Sequence, residues 1–323
     1  MRRRRFLQLA ISAAALPAAS RLARAQNFPT RPVRIIVAQA PGSGTDIAAR
    51  LMGQWLSERL GQQFVVDNRP GAGGNIGTEA AVRSAPDGYT IFMAVSANAV
   101  NATLYTNLNF NFIRDMTPVG GIFVVPLVME VNPSFPAKTV AEFIAYARTN
   151  SGKLTLASSG IGSAQHMAGE LFEFMTGVKL VHVPYRGSTP ALTDLLAGEV
   201  NVMFDVTPSS IPLIKAGKLR ALAVTTTTRF EALPDVAVLA DFVPGYEASA
   251  WLGFCAPTGT PKAIVDLLNR EVNAGLADPG IKGRFADLGA TVLPGSPEDF
   301  GKIIRDDTEK WAKVIKFADI KPE

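Results

Sequence analysis

Along the chain, short apolar runs that are typical of strands alternate with longer segments in which apolar residues recur at helical spacing. Residues 33–38 are rich in β-branched side chains and predict a buried strand. A turn of small residues follows at 41–46, and apolar residues then recur at helical spacing as far as Leu60, where Gly61 predicts the end of a helix. The next predicted elements are a strand at 64–66, a helix at 76–83 and a strand at 89–93. This part of the chain therefore predicts one βαβαβ unit.

The same order of elements returns in the middle of the chain. A strand at 154–157 leads into the small-residue turn 158–163, and the helix after it is predicted to end at Gly177. The remaining predicted elements are a strand at 180–183, a helix at 191–196 and a strand at 200–204. Two such units favour parallel sheets with right-handed crossovers. Because ligands bind at the carboxyl ends of such strands, both small-residue turns are expected to face one cleft.

The segments outside these units predict how the two halves are joined. Residues 117–132 are expected to cross to the second half and residues 219–225 to cross back, with the threonine run 225–228 as a hinge strand. Helices are predicted from Pro261 onward and over 297–317, the last of them completing the first domain. A chain of 323 residues exceeds one ordinary core, which favours two domains.

The first 25 residues change the picture of charge and location. Arg2 to Arg5, with Phe6 and Leu7, are typical of a twin-arginine export signal, and an apolar stretch follows. Cleavage is predicted near Ala25, which would remove six arginines and turn the net charge of +4 into about −2. An exported chain of this charge gives no reason to expect a nucleic acid or an anionic membrane as partner.

The residue counts exclude several kinds of chemistry. Cys255 is the only cysteine and lies in an apolar run, so we expect a buried thiol and no disulfide within the chain. His166 and His182 are the only histidines, too few for a structural zinc site. Neither small-residue turn matches a P-loop or the G-x-G-x-x-G pattern. We therefore predict neither a metal nor a cofactor.

The two small-residue turns are the candidate binding elements. A glycine- and serine-rich turn before a helix presents free backbone N–H groups and the positive end of the helix dipole to an anion. The residues in question are Gly42, Ser43, Gly44 and Thr45 in the first turn and Ser158, Ser159, Gly160, Gly162 and Ser163 in the second. Ordinary helix caps have the same composition, so capping is the alternative at each turn.

Three further residues beside the turns carry candidate chemistry. Asp46 begins the first helix and Asp205 follows the predicted strand 200–204, so each either caps backbone N–H groups or meets a ligand amine or hydroxyl. Ser163 and His166 lie three residues apart on one helix face, and they are the basis of an alternative function, an exported serine hydrolase. That alternative lacks a G-x-S-x-G elbow and a third residue to orient the histidine.

Several motifs resemble the solute receptors of tripartite tricarboxylate transporters, the Bug family. The most specific is NRPGAGGNIG at 68–77, and the turns PGSGTD at 41–46 and SSG at 158–160 fit the same family. The other matching motifs are PDGYT at 86–90, VPYRG at 183–187, PALTDLL at 190–196, AGKLRALA at 216–223 and APTGTP at 256–261. They cover nearly the whole chain after the export signal, in consistent order.

The resemblance implies an α/β periplasmic-binding-protein fold of two domains, a venus flytrap of type II-like topology with hinge strands. Its first domain would comprise residues 26–122 and 228–323, and its second residues 123–227. The two turns would hold a small organic acid without covalent chemistry, with His166 and Asp205 nearby. The receptor is expected to be a periplasmic monomer that delivers this acid to permease subunits in the membrane.

One residue departs from the family pattern and leaves the ligand open. Ser43 stands where a glycine is common, which narrows the first turn or adds a donor. Dicarboxylates, tricarboxylates, amino acids and aromatic acids all remain candidates at this point, as does a ligand without a carboxylate.

Overall fold

The computed structural model describes residues 28–322, so the predicted export signal and its cleavage site lie outside the described residues. The strands are β1 (Val33–Val37), β2 (Phe64–Asn68), β3 (Thr90–Val95), β4 (Met116–Val131), β5 (Thr155–Ser158), β6 (Val181–Pro184), β7 (Val202–Val206), β8 (Arg220–Val224), β9 (Ser249–Pro257) and β10 (Thr291–Val292). The helices are α1 (Gly44–Leu60), α2 (Asn75–Val82), α3 (Ser96–Leu104), α4 (Phe112–Asp115), α5 (Val140–Thr149), α6 (Ala164–Thr176), α7 (Ser188–Ala197), α8 (Thr207–Lys215), α9 (Lys262–Ala277), α10 (Pro279–Asp287) and α11 (Pro297–Ala318). None of these helices is long and apolar enough to cross a bilayer.

Both predicted βαβαβ units are confirmed as parallel groups of strands. In the first, β1 lies between β2 and β3, and in the second, β5 lies between β6 and β7. The helices that follow β1 and β5 end at Gly61 and Gly177, whose φ values of 69° and 71° are left-handed. Glycine adopts this conformation without a steric penalty, which is why each helix stops there.

The long strand β4 joins the two groups into one ten-stranded sheet. Residues 116–126 of β4 pair antiparallel with β9, and residues 127–131 pair with β7 and β8. The prediction that residues 117–132 cross between the halves is therefore confirmed. We call the strands on the β9 side, with their helices, the first half, and those on the β7 side the second half.

The predicted return crossing is wrong. Residues 220–224 form β8, which pairs with the last residues of β4 and so stays in the second half. The threonine run 225–228 forms bends, in which the buried Thr225 hydroxyl bonds to the backbone of Leu127 and the Thr226 hydroxyl donates to the Thr228 carbonyl. The chain returns instead through β9, which pairs with both β3 and β4.

The last helix reaches both halves. The helix predicted at 297–317 is present as α11, which packs against α3 and β4 and also against α6 of the second half. Trp251 of β9 donates to Asp307 of this helix at 2.6 Å, and Phe317 lies 5.0 Å from Phe174 of α6 between ring centroids. α11 thus closes the side of the sheet where the two halves meet.

Candidate functional site

The first predicted turn connects β1 to α1. Gly42 has a left-handed φ of 80°, and Ser43 is the N-cap of α1, whose Oγ accepts from the Asp46 backbone N–H at 3.2 Å. Gly42 and Gly44 are exposed, and a Cβ atom added to either would meet no atom within 4 Å. The turn therefore leaves open space in front of the helix N-terminus.

The second predicted turn connects β5 to α6 in the same way. Gly162 has a φ of 75°, and Ser163 is the N-cap of α6, whose Oγ accepts from the His166 N–H at 3.2 Å. The two N-cap serines have nearly identical backbone angles, φ −68° and ψ 159° at Ser43 against φ −67° and ψ 158° at Ser163. The two turns thus have the same backbone conformation at the N-cap, although their sequences differ.

Asp46 and His166 occupy equivalent places in these turns. The Gly42 N–H donates to Asp46 Oδ2 at 2.9 Å, and the Gly162 N–H donates to His166 Nδ1 at 3.1 Å. Since a backbone N–H only donates, Nδ1 is the acceptor and the proton of the neutral ring is on Nε2. Nε2 lies 3.2 Å from Glu170, so the histidine is held from both edges of its ring.

Charge pairing keeps Asp46 in its carboxylate form. Burial opposes ionisation, but hydrogen bonds from Arg50, the Gly42 N–H and Asn68 outweigh it and hold the pKa of Asp46 below its ordinary value. Arg50 Nε and Asn68 Nδ2 lie 3.0 Å and 2.9 Å from its oxygens. The capping interpretation of Asp46 accounts for the bond from Gly42, and the side chains of Arg50 and Asn68 use the rest of the carboxylate.

Two backbone N–H groups in each turn have no acceptor among residues 28–322. They belong to the first two residues of each helix, Gly44 and Thr45 in α1 and Ala164 and Gln165 in α6. These are the groups that a helix N-terminus offers to an anion. Ala164 lines a narrow cavity together with Ser96 and Ala97 of α3, which places the start of α6 against the first half.

A pair of stacked histidines supports the second turn. The rings of His166 and His182 are 3.7 Å apart and nearly parallel, and His182 Nε2 is hydrogen-bonded to Ser158 Oγ at 2.7 Å. Burial, together with the neighbouring His166, lowers the pKa of His182 to about 3, so His182 is neutral at physiological pH. Ser158 also accepts from the Gly160 N–H at 3.2 Å, while Ser159 is half-buried.

Asp205 lies inside β7 and not after it, because the strand extends two residues further than predicted. The carboxylate is fully buried. Its hydrogen-bond donors come from the starts of three helices and are Gln165 of α6, Ser188 of α7 and Ser209 of α8. Side chains from three helix N-termini therefore converge on the Asp205 carboxyl group.

The geometry does not support the hydrolase alternative. Ser163 Oγ donates to the Gly160 carbonyl at 2.7 Å, and both nitrogens of the His166 ring face other groups. Ser158 does meet an imidazole, but this serine is fully buried and the low pKa of His182 makes that ring a poor base. Between residues 28 and 322, no cluster of His, Cys, Asp and Glu side chains suits a metal ion.

The structure thus gathers each predicted set of residues into its own turn. No hydrogen bond within the described chain joins the first turn to the second. Ala164, Gln165 and Ser188 were not predicted from the sequence as part of the site. A signal for the first two was present, since they lie directly between the N-cap serine and His166.

Comparisons with known proteins agree with this architecture. The sequence model of the tripartite tricarboxylate transporter family receptor, TctC, matches residues 48–320. Protein BugT of Bordetella pertussis is 37% identical to this chain over 90% of each protein. The R. palustris protein Rpa4515, solved with adipate, is 40% identical with a TM-score of 0.79 and covers 92% of this chain and 100% of its own.

A second solved structure has the same relation to the chain. MatC from Rhodopseudomonas palustris, solved with bound malate, is 30% identical with a TM-score of 0.75, over 89% of this chain and 100% of its own. The predicted two-domain periplasmic-binding-protein fold and the predicted resemblance are both confirmed. The chain belongs to the tripartite tricarboxylate transporter receptor family, whose members are periplasmic solute-binding proteins and not enzymes.

Proposed function

We propose that this receptor captures a small carboxylate between the two turns and delivers it to permease subunits of a tripartite tricarboxylate transporter. The observation that carries the proposal is the pair of matched turns, each with two free N–H groups at a helix N-terminus. Such groups bind anions through directed hydrogen bonds and the helix dipole. The relatives solved with adipate and malate support the same ligand class.

Some of the candidate residues would contact the ligand, and the others would hold the turns in place. The backbone of Gly42, Gly44 and Thr45 and that of Gly160 and Gly162 would approach the ligand, together with the hydroxyl groups of the turns. The supporting residues would be Asp46, Ser158, Ser159, His166 and Asp205, with Ser43 and Ser163 as the N-caps of the two helices. Binding of this kind requires no covalent step.

The proposal also assigns the chain its place in the cell. The export signal would be cleaved near Ala25, leaving a periplasmic monomer. Its two domains would correspond to the first and second halves of the sheet, joined by β4 and β9. Closure of two such domains buries a ligand and presents one surface to a membrane partner.

Thermal melting of the exported chain against a panel of carboxylic acids tests the function. We expect at least one acid to raise the melting temperature in proportion to log concentration, because a ligand that binds only the native state stabilises it by RT ln(1 + [L]/Kd). Sugars and uncharged amides serve as controls and should produce no shift. If the protein is shown by mass spectrometry to be free of bound ligand and no acid shifts its melting, the proposed function is wrong.

His166 provides a test of the second turn. We expect His166→Ala to weaken binding of the acid about tenfold, because the Gly162 N–H loses its acceptor and the turn loses its fixed shape. His166→Asn should restore most of the affinity, since its Oδ1 takes the place of Nδ1 just as Asp46 Oδ2 does in the first turn. Isothermal titration measures both. Equal losses in the two variants would mean that the imidazole itself contacts the ligand.

A further inference from the structure

Gln165 has a side-chain amide whose orientation is set by its neighbours. Its Nε2 lies 3.0 Å from Ser188 Oγ and 3.2 Å from Asp205 Oδ1. A carboxylate only accepts hydrogen bonds, so the atom that faces Asp205 must be the amide nitrogen. Ser188 in turn donates to Asp205 at 2.9 Å, and its hydroxyl is therefore an acceptor toward Gln165. Both contacts are therefore made by the amide nitrogen, Nε2.

The amide oxygen is left on the opposite edge. Oε1 of Gln165 receives no hydrogen bond from residues 28–322, and unlike Oε1 of Gln39 it is not sealed from solvent. The backbone N–H of Gln165 is one of the two free N–H groups at the start of α6. Within the described part of the chain, one residue thus has both an unpaired donor and an unpaired acceptor at the start of α6.

We propose that Gln165 is a specificity-determining residue that selects acids with a hydroxyl or amino donor close to the carboxylate. The inference rests on the proposed function, because it takes an acid to be bound at the start of α6. The carboxylate of such an acid accepts from the N–H groups, and its hydroxyl or ammonium donates to Oε1. A plain acid of the same length leaves this oxygen without a donor when the cleft excludes water, which costs affinity.

Matched pairs of acids test the inference by isothermal titration of the exported chain. Malate is compared with succinate, and citrate with tricarballylate, because the members of each pair differ by one hydroxyl; aspartate against succinate tests the amino group. We expect the hydroxyl or amino member of a pair that binds to have a Kd lower by about fivefold or more, as for one net hydrogen bond. In Gln165→Met, which keeps the length of the side chain and removes the amide, the ratio should fall to about one.

Ser188→Ala is the matched control for this variant. It removes one of the two partners of Nε2 but leaves Asp205 to hold the amide, so the preference should persist. A wild-type protein that binds the plain acids as tightly as their partners, or a preference that survives Gln165→Met, would overturn the inference and leave the proposed function intact. If none of these acids and none of the thermal panel binds, both the inference and the proposed function fail.

Discussion

Asp205→Ala is expected to lower the free energy of unfolding by about 3 kcal/mol, because it orphans buried donors at the starts of three helices. The donors are Gln165 and the hydroxyls of Ser188 and Ser209. Because Asp205 is fully buried, water does not replace the lost acceptor. Urea unfolding of the unliganded protein, followed by circular dichroism, measures the loss.

Two variants separate this role from a general effect of removing an acid. Asp205→Asn keeps the shape and one acceptor oxygen, so its loss should be smaller than that of Asp205→Ala. Asp266 forms an exposed i,i+4 pair with Lys262, and Asp266→Ala should cost less than about 0.5 kcal/mol. An Asp205→Ala protein as stable as the Asp266→Ala protein would show that the convergence of the three helices does not depend on the carboxylate.

The repeating part of the fold could be predicted because its local signals agree with one another. In β1 and β5 the buried apolar run, the small-residue turn and the amphipathic helix follow in order, and Gly61 and Gly177 mark the helix ends. Each of these features depends on residues a few positions apart. Periodicity and turn chemistry therefore suffice to identify them.

The joining strands could not be predicted in the same way. β9 is a continuous apolar segment with Gly253 inside it, a pattern that does not distinguish a buried strand from other buried segments. Its partners β3 and β4 lie far from it in the chain, so only the folded sheet determines its place. At 225–228 the intrinsic β preference of threonine yields to the hydrogen bonds of Thr225 with Leu127.

The same distinction applies to the candidate site. The glycines and serines of both turns were identifiable from composition, whereas the role of Gln165 depends on Asp205, which lies 40 positions along the chain. The equivalence of Asp46 and His166 was hidden for a different reason. An aspartate and a histidine share no side-chain class, yet each accepts the N–H of a left-handed glycine four residues earlier. The two turns therefore have the same hydrogen-bond geometry, although the residues that accept the bond are of different types.

Beside Asp205 lies a second buried acid, Glu130 of β4. It is fully buried and accepts from Ser210 at 2.9 Å through Oε1, while Oε2 has no partner among the described residues. Burial, and then the nearby Asp205 carboxylate, raise the pKa of Glu130 well above its ordinary value of 4.5. Burial beside Asp205 therefore favours the protonated, neutral form of Glu130 in the folded protein.

This protonation makes stability fall as pH rises. Above pH 4.5 the unfolded chain releases the Glu130 proton more readily than the folded chain does, so the free energy of unfolding falls by up to about 1.4 kcal/mol per pH unit. Glu130→Gln removes the titrating group, and we expect a flatter dependence of stability on pH and a more stable protein than the wild type at pH 8.

Urea unfolding at pH 5, 6, 7 and 8 measures the two slopes. Glu309→Gln, an exposed change on α11, is the control and should keep the wild-type slope. Equal slopes in the wild type and in Glu130→Gln would mean that Glu130 is ionised in the folded protein. Asp205 would then face a second buried negative charge, and the three helix N-termini would have to stabilise both carboxylates.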